Sequence, residues 1–265
     1  MPVSSDYSDG TPLIAYCLTT LDGEVLAQRN ADTHFYSAST IKLAVLVAAL
    51  HAVERGALRL DQPFASTHTF NSRLGGTFSF DPDEYDDGMA PEGASMSLQE
   101  LLGRMISVSS NEATNLLVEA LGFPAVMEAL RRCGANDSTM ERLIGDLAAL
   151  QRGFSHQITA ADLCKIMSFI VSGRAAGPQN TALAVNWLRE QRYPVIGEEL
   201  KEMNSALDWG SKSGWVTGIQ HDVAFVIPRE AAPGEGYLLA ICTRALADPE
   251  AAETIRALSR ALLPL

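Results

Sequence analysis

The chain opens on two short runs, PLIAYCLTTL (12–21) and EVLAQRN (24–30), separated by Asp22 and Gly23. Alternation of apolar and polar positions marks strands, and an Asp-Gly pair between them predicts a tight hairpin, because glycine accepts positive φ. From Ala38 to Leu50 the pattern changes: apart from Ser39, Thr40 and Lys42, every position is apolar. A helix so apolar on all sides must be buried. It is expected to run to about Arg55 and stop at Gly56. Residues 61–96 then turn polar and rich in Gly, Pro and Asp, the composition of long surface loops.

Ser97 and Glu100 form a capping-box pattern, and helical periodicity is predicted over 97–107, 110–121, 124–133, 159–172 and 178–191. Residues 206–213, 219–228 and 236–245 read as strands, the last two joined by PGEG at 233–236. A final amphipathic helix is expected to start with Asp248 as cap and Pro249 at the first helical position, ending near Leu263. Two strands, a helical middle, three strands and a helix make an α+β layout. The two chain ends must pair into one antiparallel sheet, since a lone hairpin is barely stable. The division predicted is a sheet-bearing lobe from 1–36 and 206–265, a mainly helical lobe from 37–205, and an active site in the cleft between them.

Composition narrows the function classes. With 265 residues, 47% hydrophobic and 20% charged, the chain suits one large globular unit or two lobes sharing a core. Thirty-two acidic against 20 basic residues, net charge −12, argue against nucleic acid or an anionic membrane as partner, and the longest apolar run, broken by Lys42, is too short to span a bilayer. The polar opening MPVSSDYSDGTPL shows no secretory signal, so the chain as it stands is expected in the cytoplasm, or outside it if a leader was removed. Cys17, Cys133, Cys164 and Cys242 lack metal-ligand spacing and read as scattered core thiols. Neither metal nor cofactor is expected, the acidic loop 81–87 reads as solvated, and a monomer acting on a small molecule is the expected state.

The chemistry begins with the lysine in the apolar helix. Lys42 follows Ser39 by three residues, which puts both side chains on one helix face, within reach of a direct hydrogen bond. Burial disfavours an ammonium, and a lysine pushed toward neutrality accepts a proton from a serine hydroxyl. An S-x-x-K alone is weak, since chance supplies one in a chain of this length. Two more stretches join it: Ser109, Ser110 and Asn111 at a break between helices, and Lys212, Ser213 and Gly214 at the end of a strand.

Three such motifs in this order resemble the penicillin-recognising serine enzymes, and within them the class A β-lactamases. The resemblance covers residues 12–263. It implies that Ser39 is the acylated nucleophile and Lys42 its activating partner. Ser109 would relay a proton to the leaving nitrogen, Asn111 would bond the substrate's side-chain amide, and Lys212 with Ser213 would hold a substrate carboxylate. The oxyanion would lie between the backbone N–H groups of Ser39 and of Trp215, the residue after Gly214.

Three departures stand out. The E-x-x-L-N stretch whose glutamate activates the deacylating water in class A enzymes has no counterpart in STMERLIGDLAALQRGFSHQIT (138–159). Glu141 and Asp146 are the carboxylates available there, and Asp146 is the better placed. Ser110 stands where the family often has aspartate. On the strand after Lys212-Ser213-Gly214, where an arginine usually meets the substrate carboxylate, Gln220 and His221 stand instead, and His221 is the expected substitute donor. Tyr85 and Trp215 are candidate cleft walls. The first reading is therefore a serine acyl-hydrolase of slow turnover on β-lactams or related amides. D-alanyl-D-alanine peptidase-like, amidase or esterase chemistry is the alternative, and a penicillin-binding module without turnover is a third.

Overall fold

The computed structural model describes residues 2–203, 206–232 and 234–265. Its centre is a five-stranded antiparallel sheet built from both ends of the chain: β1 (Leu13–Thr20), β2 (Val25–Arg29), β3 (Leu207–Val216), β4 (Ile219–Pro228) and β5 (Tyr237–Arg244), in the order β3-β4-β5-β1-β2. The β1–β2 turn closes through Thr20 N–H to Glu24 O at 2.9 Å, with Gly23 at φ +100° as the Asp-Gly pair requires. The ends join where β5 pairs with β1, Tyr237 opposite Thr20 through Arg244 opposite Leu13. Pro233, in the expected turn before β5, lies outside the described residues.

Both faces of the sheet are covered, and strand alternation sorts its side chains between two cores. Cys17, Val223, Phe225, Leu238, Ala240 and Cys242 join the larger cluster with the buried helix α1 (Lys42–Glu54). Leu18, Ala224, Val226, Leu239 and Ile241 face the opposite way, packing with Ile196 and Leu200 of α8 (Val195–Met203) and Ile255 of α9 (Asp248–Leu262). Residues 195–203 thus pack with the sheet and its C-terminal helix rather than with the other helices. Sequence reasoning assigned no helix there.

Around α1 stand α2 (Leu98–Ser107), α3 (Asn111–Leu121), α4 (Phe123–Cys133) and α6 (Ala160–Val171), while α7 (Pro178–Arg189) lies against α2 and β3. Ser97 and Glu100 do form the capping box of α2, and Gly56 follows α1 at φ +72°. Asp248 is a correction: it is the first residue of α9, and Ala247 occupies the cap position without a side-chain bond. The 61–96 stretch contains two small strand pairs, Pro63–Ala65 with Ser95–Ser97 and Thr69–Asn71 with Thr77–Ser79. A short helix α5 (Leu147–Gln151) went unread. All four cysteines are free and buried, and the Cys164 thiol donates to Cys17 O at 3.3 Å.

Candidate active site

Ser39 sits in a single 3-10 turn, Ala38–Ile41, that runs straight into α1. The turn is entered by Ala38 at φ +45°, a conformation L-residues avoid and that only over-determined surroundings sustain. Three bonds hold it: Ser37 N–H to His156 O at 3.1 Å, Ser37 Oγ to Ala38 O at 3.0 Å, and Thr40 Oγ1 to Ser37 O at 2.7 Å. Against it lies β3, at Gly214. A Cβ there would come 2.7 Å from Ser39 N and 3.0 Å from Thr40 N, so only glycine lets the strand approach.

Lys42, the first residue of α1, is fully buried. Its Nζ donates to Ser109 O at 2.5 Å, to Ser109 Oγ at 3.2 Å and to Asn111 Oδ1 at 2.7 Å. The direct bond to Ser39 expected from helical spacing is absent among the described residues; Lys42 reaches instead across to the break between α2 and α3. Ser109 turns that break at φ +63°, and Ser110 then caps α3 by accepting from Ala113 N–H at 3.2 Å. From the opposite side the buried Lys212 Nζ donates to Ser109 Oγ at 3.1 Å and to Ser213 O at 2.7 Å. Two lysines therefore converge on one serine hydroxyl.

Their electrostatics follow from burial. Desolvation, reinforced by repulsion from Lys212, holds the Lys42 ammonium well below the usual lysine range, with Glu112 and Asp86 opposing. Desolvation brings Lys212 down to about 7 against the attraction of Asp222. Asp222 was missed in the sequence, although an aspartate inside the apolar run of β4 was a signal. Burial raises its carboxyl to about 6, and its Oδ2 accepts the Val195 and Ile196 N–H groups at the start of α8, both at 2.8 Å. The buried charge that Ser110 lacks is supplied two residues on: Glu112 accepts from Asp86 N–H at 2.9 Å and Ser110 Oγ at 3.3 Å, with His68 Nδ1 at 3.5 Å. Tyr85 stacks on His68 at 3.6 Å, and Trp215 is 53% exposed.

Two predicted site residues are corrected. His221 is fully buried; its Nε2 bonds Tyr36 O at 2.8 Å, its Nδ1 lies 3.2 Å from Thr243 N–H, and desolvation lowers it to about 4. It ties β4 to the strand before Ser39 and offers nothing to a substrate. Asp146 is buried as the cap of α5, accepting from Ala149 N–H at 3.1 Å, Arg73 N–H at 2.8 Å and Ser72 Oγ at 3.1 Å. Its oxygens are engaged in holding the loop together. Glu141 is exposed and accepts from Ser155 N–H at 3.1 Å. Between them Asn115 clasps Ile144, donating to its carbonyl at 2.8 Å and accepting its N–H at 2.9 Å. Among the described residues no three His, Cys, Asp or Glu side chains are placed to hold a metal ion.

An α+β fold that sets a serine at the head of a buried helix, between two buried lysines, defines a serine hydrolase of the class A β-lactamase kind. The sequence model of the Beta-lactamase enzyme family matches residues 5–264, and the chain belongs to that family. The curated β-lactamase of Bacillus amyloliquefaciens is 29% identical over 154 residues, 56% of this chain and 48% of that one. A second, from Bacillus subtilis, is 28% identical over 52% of this chain and 46% of its own length. The chain thus matches about half the length of these curated relatives. Among solved structures, the β-lactamase from Sphaerobacter thermophilus superposes with TM-score 0.76 at 23% identity, covering 96% of this chain and 94% of its own. PBP-A does so with TM-score 0.75 at 20% identity, covering 94% and 88%, and has also been solved as an acyl-enzyme complex with penicillin G. At these identities the structures establish the fold.

Proposed function

We propose that the protein is a serine acyl-transfer enzyme that opens β-lactams, or related amides and esters, through a covalent adduct on Ser39 and releases it slowly. The observation carrying this reading is the Ser109 hydroxyl held between Lys42 and Lys212 at 3.2 and 3.1 Å. Lys42 in its neutral form takes the Ser39 proton as Oγ bonds to the substrate carbonyl carbon. The tetrahedral oxyanion is met by the N–H groups of Ser39 and Trp215, brought close by Gly214. As the C–N bond breaks, the Ser109 proton passes to the leaving nitrogen and Lys42 returns one to Ser109. Catalytic contacts of this kind tighten only when substrate arrives, so the open Ser39–Lys42 pair of the free protein is compatible with the role.

Hydrolysis of the adduct needs a water and a base. Asp146 and Glu141 are both committed elsewhere, which favours a long-lived acyl-enzyme and, as a second reading, transfer chemistry of the D-alanyl-D-alanine peptidase type. Incubation with a fluorescent penicillin tests this. One equivalent bound at Ser39, persisting far longer than it takes to form, is expected. Fast turnover without accumulation would overturn the slow-release part of the reading, and no labelling would leave a binding module.

A further inference from the structure

The class to which the chain belongs handles substrates bearing a carboxylate, and the strand position where an arginine was expected to meet it is filled by Gln220 and the buried His221. Lys212 is itself buried, with Nζ already donating to Ser109 Oγ and Ser213 O. A full positive charge must then come from another element. Beside Ser109 and Asn111 lies a polar basin of about 300 Å³, walled also by Tyr85, Arg104, Arg192 and Tyr193. Arg104 is committed to Asp86 in a bidentate pair. Arg192 is exposed on the link between α7 and α8, and among the described residues its guanidinium has neither hydrogen bond nor acid partner.

The position of Arg192 is fixed from below. Its backbone N–H donates to Ser107 O at 2.9 Å, tying it to the end of α2, two residues before Ser109. An unpaired guanidinium on a fixed backbone is suited to a carboxylate, which it grips with two parallel N–H bonds. Of the acids on the basin, Asp86 faces Arg104, and Glu112 is bonded to Asp86 N–H and Ser110 with His68 beside it. Glu84 and Asp87 complete the wall, which disfavours polyanions.

We propose that Arg192 anchors the substrate's carboxylate in this basin, doing from the α7–α8 link what an arginine on β4 would otherwise do. The proposal rests on acylation of Ser39, and its test separates the two. Acylation rates are measured against concentration for penicillin G and for its methyl ester, in the wild type, Arg192→Ala and Arg192→Lys. For the acid, Arg192→Ala raises the half-saturating concentration about tenfold with the limiting rate within twofold, Arg192→Lys restores part of the loss, and added salt shrinks the difference. The ester responds to neither substitution. Equal losses for acid and ester, or no change for the acid, would overturn the anchor while leaving acylation intact. Failure of the wild type to acylate with either compound would overturn the acyl-enzyme reading, and the anchor with it.

Discussion

The turn around Ser39 and the loop from 141 to 155 lie close in the fold and differ in how their polar groups are used. Beneath the turn, Lys42 and Lys212 are buried without a carboxylate bonded to either ammonium, so burial shifts them toward neutrality and leaves proton-accepting capacity available. In the loop every carboxylate oxygen that might assist a water is bonded to backbone or serine. A buried charge that is fully satisfied stabilises a loop, and one left with lone protons or lone pairs in a cleft is equipped for transfer. The difference assigns acylation to the first region and architecture to the second.

Removing the base should produce the largest effect. Lys42→Ala is expected to slow acylation by ~10²–10⁴-fold, the usual worth of general-base assistance, in stopped-flow labelling. Retention of near-wild-type rates would put the base elsewhere. Gly214→Ala comes next: a methyl 2.7 Å from Ser39 N must push β3 away from the turn, and we expect a 10–100-fold slower acylation with the fold kept by circular dichroism.

On the loop side, Asp146→Asn should lower stability by about 1–3 kcal/mol in urea unfolding, through loss of a cap and two further bonds. The adduct lifetime should not change. If that lifetime lengthened severalfold, the loop would be catalytic after all and the contrast between the two regions would fail.

The smallest effect concerns pH. Lys212 titrates near 7 in the folded chain against 10.5 for an ordinary lysine, so between those values the unfolded state binds more protons and stability gains with rising pH. Asp222, raised to about 6 from 3.8, works the other way, and stability is lost as pH climbs from about 4 to 6. The pair therefore contributes least around pH 6–7. Unfolding of Lys212→Met, followed from pH 6 to 10, should lack the gain that the wild type shows above 7; parallel curves would remove Lys212 from this account.

Most of the constellation was legible because Ser39, Lys42, Ser109 and Lys212 stand in short motifs whose spacing survives folding. Their partners were not. Lys42 bonds residues 67 and 69 positions away, and no local pattern distinguishes that from a bond to its neighbour Ser39. Asp146 was misread because a capping aspartate before a short helix and a catalytic carboxylate in a loop look alike until the donors around them are placed. The nine-residue α8 escaped because its helical pattern is brief and follows Pro194, while its apolar face is defined only by α9. The sheet was readable from alternation alone, since its strands must hide residues on both faces.

The pairing of β5 with β1 has a consequence for how the protein is made. The N-terminal hairpin emerges first during synthesis, yet its partner strand lies more than 200 residues further on, and the turn bearing Ser39 meets Gly214 only then. Contacts this distant in sequence are slow to form, because the intervening chain must be ordered before they are made. The helices around α1 have near neighbours and can assemble early. Until the last quarter of the chain arrives, β1 presents an unpaired apolar edge, and a nascent chain stalled before residue 237 is the species most exposed to aggregation.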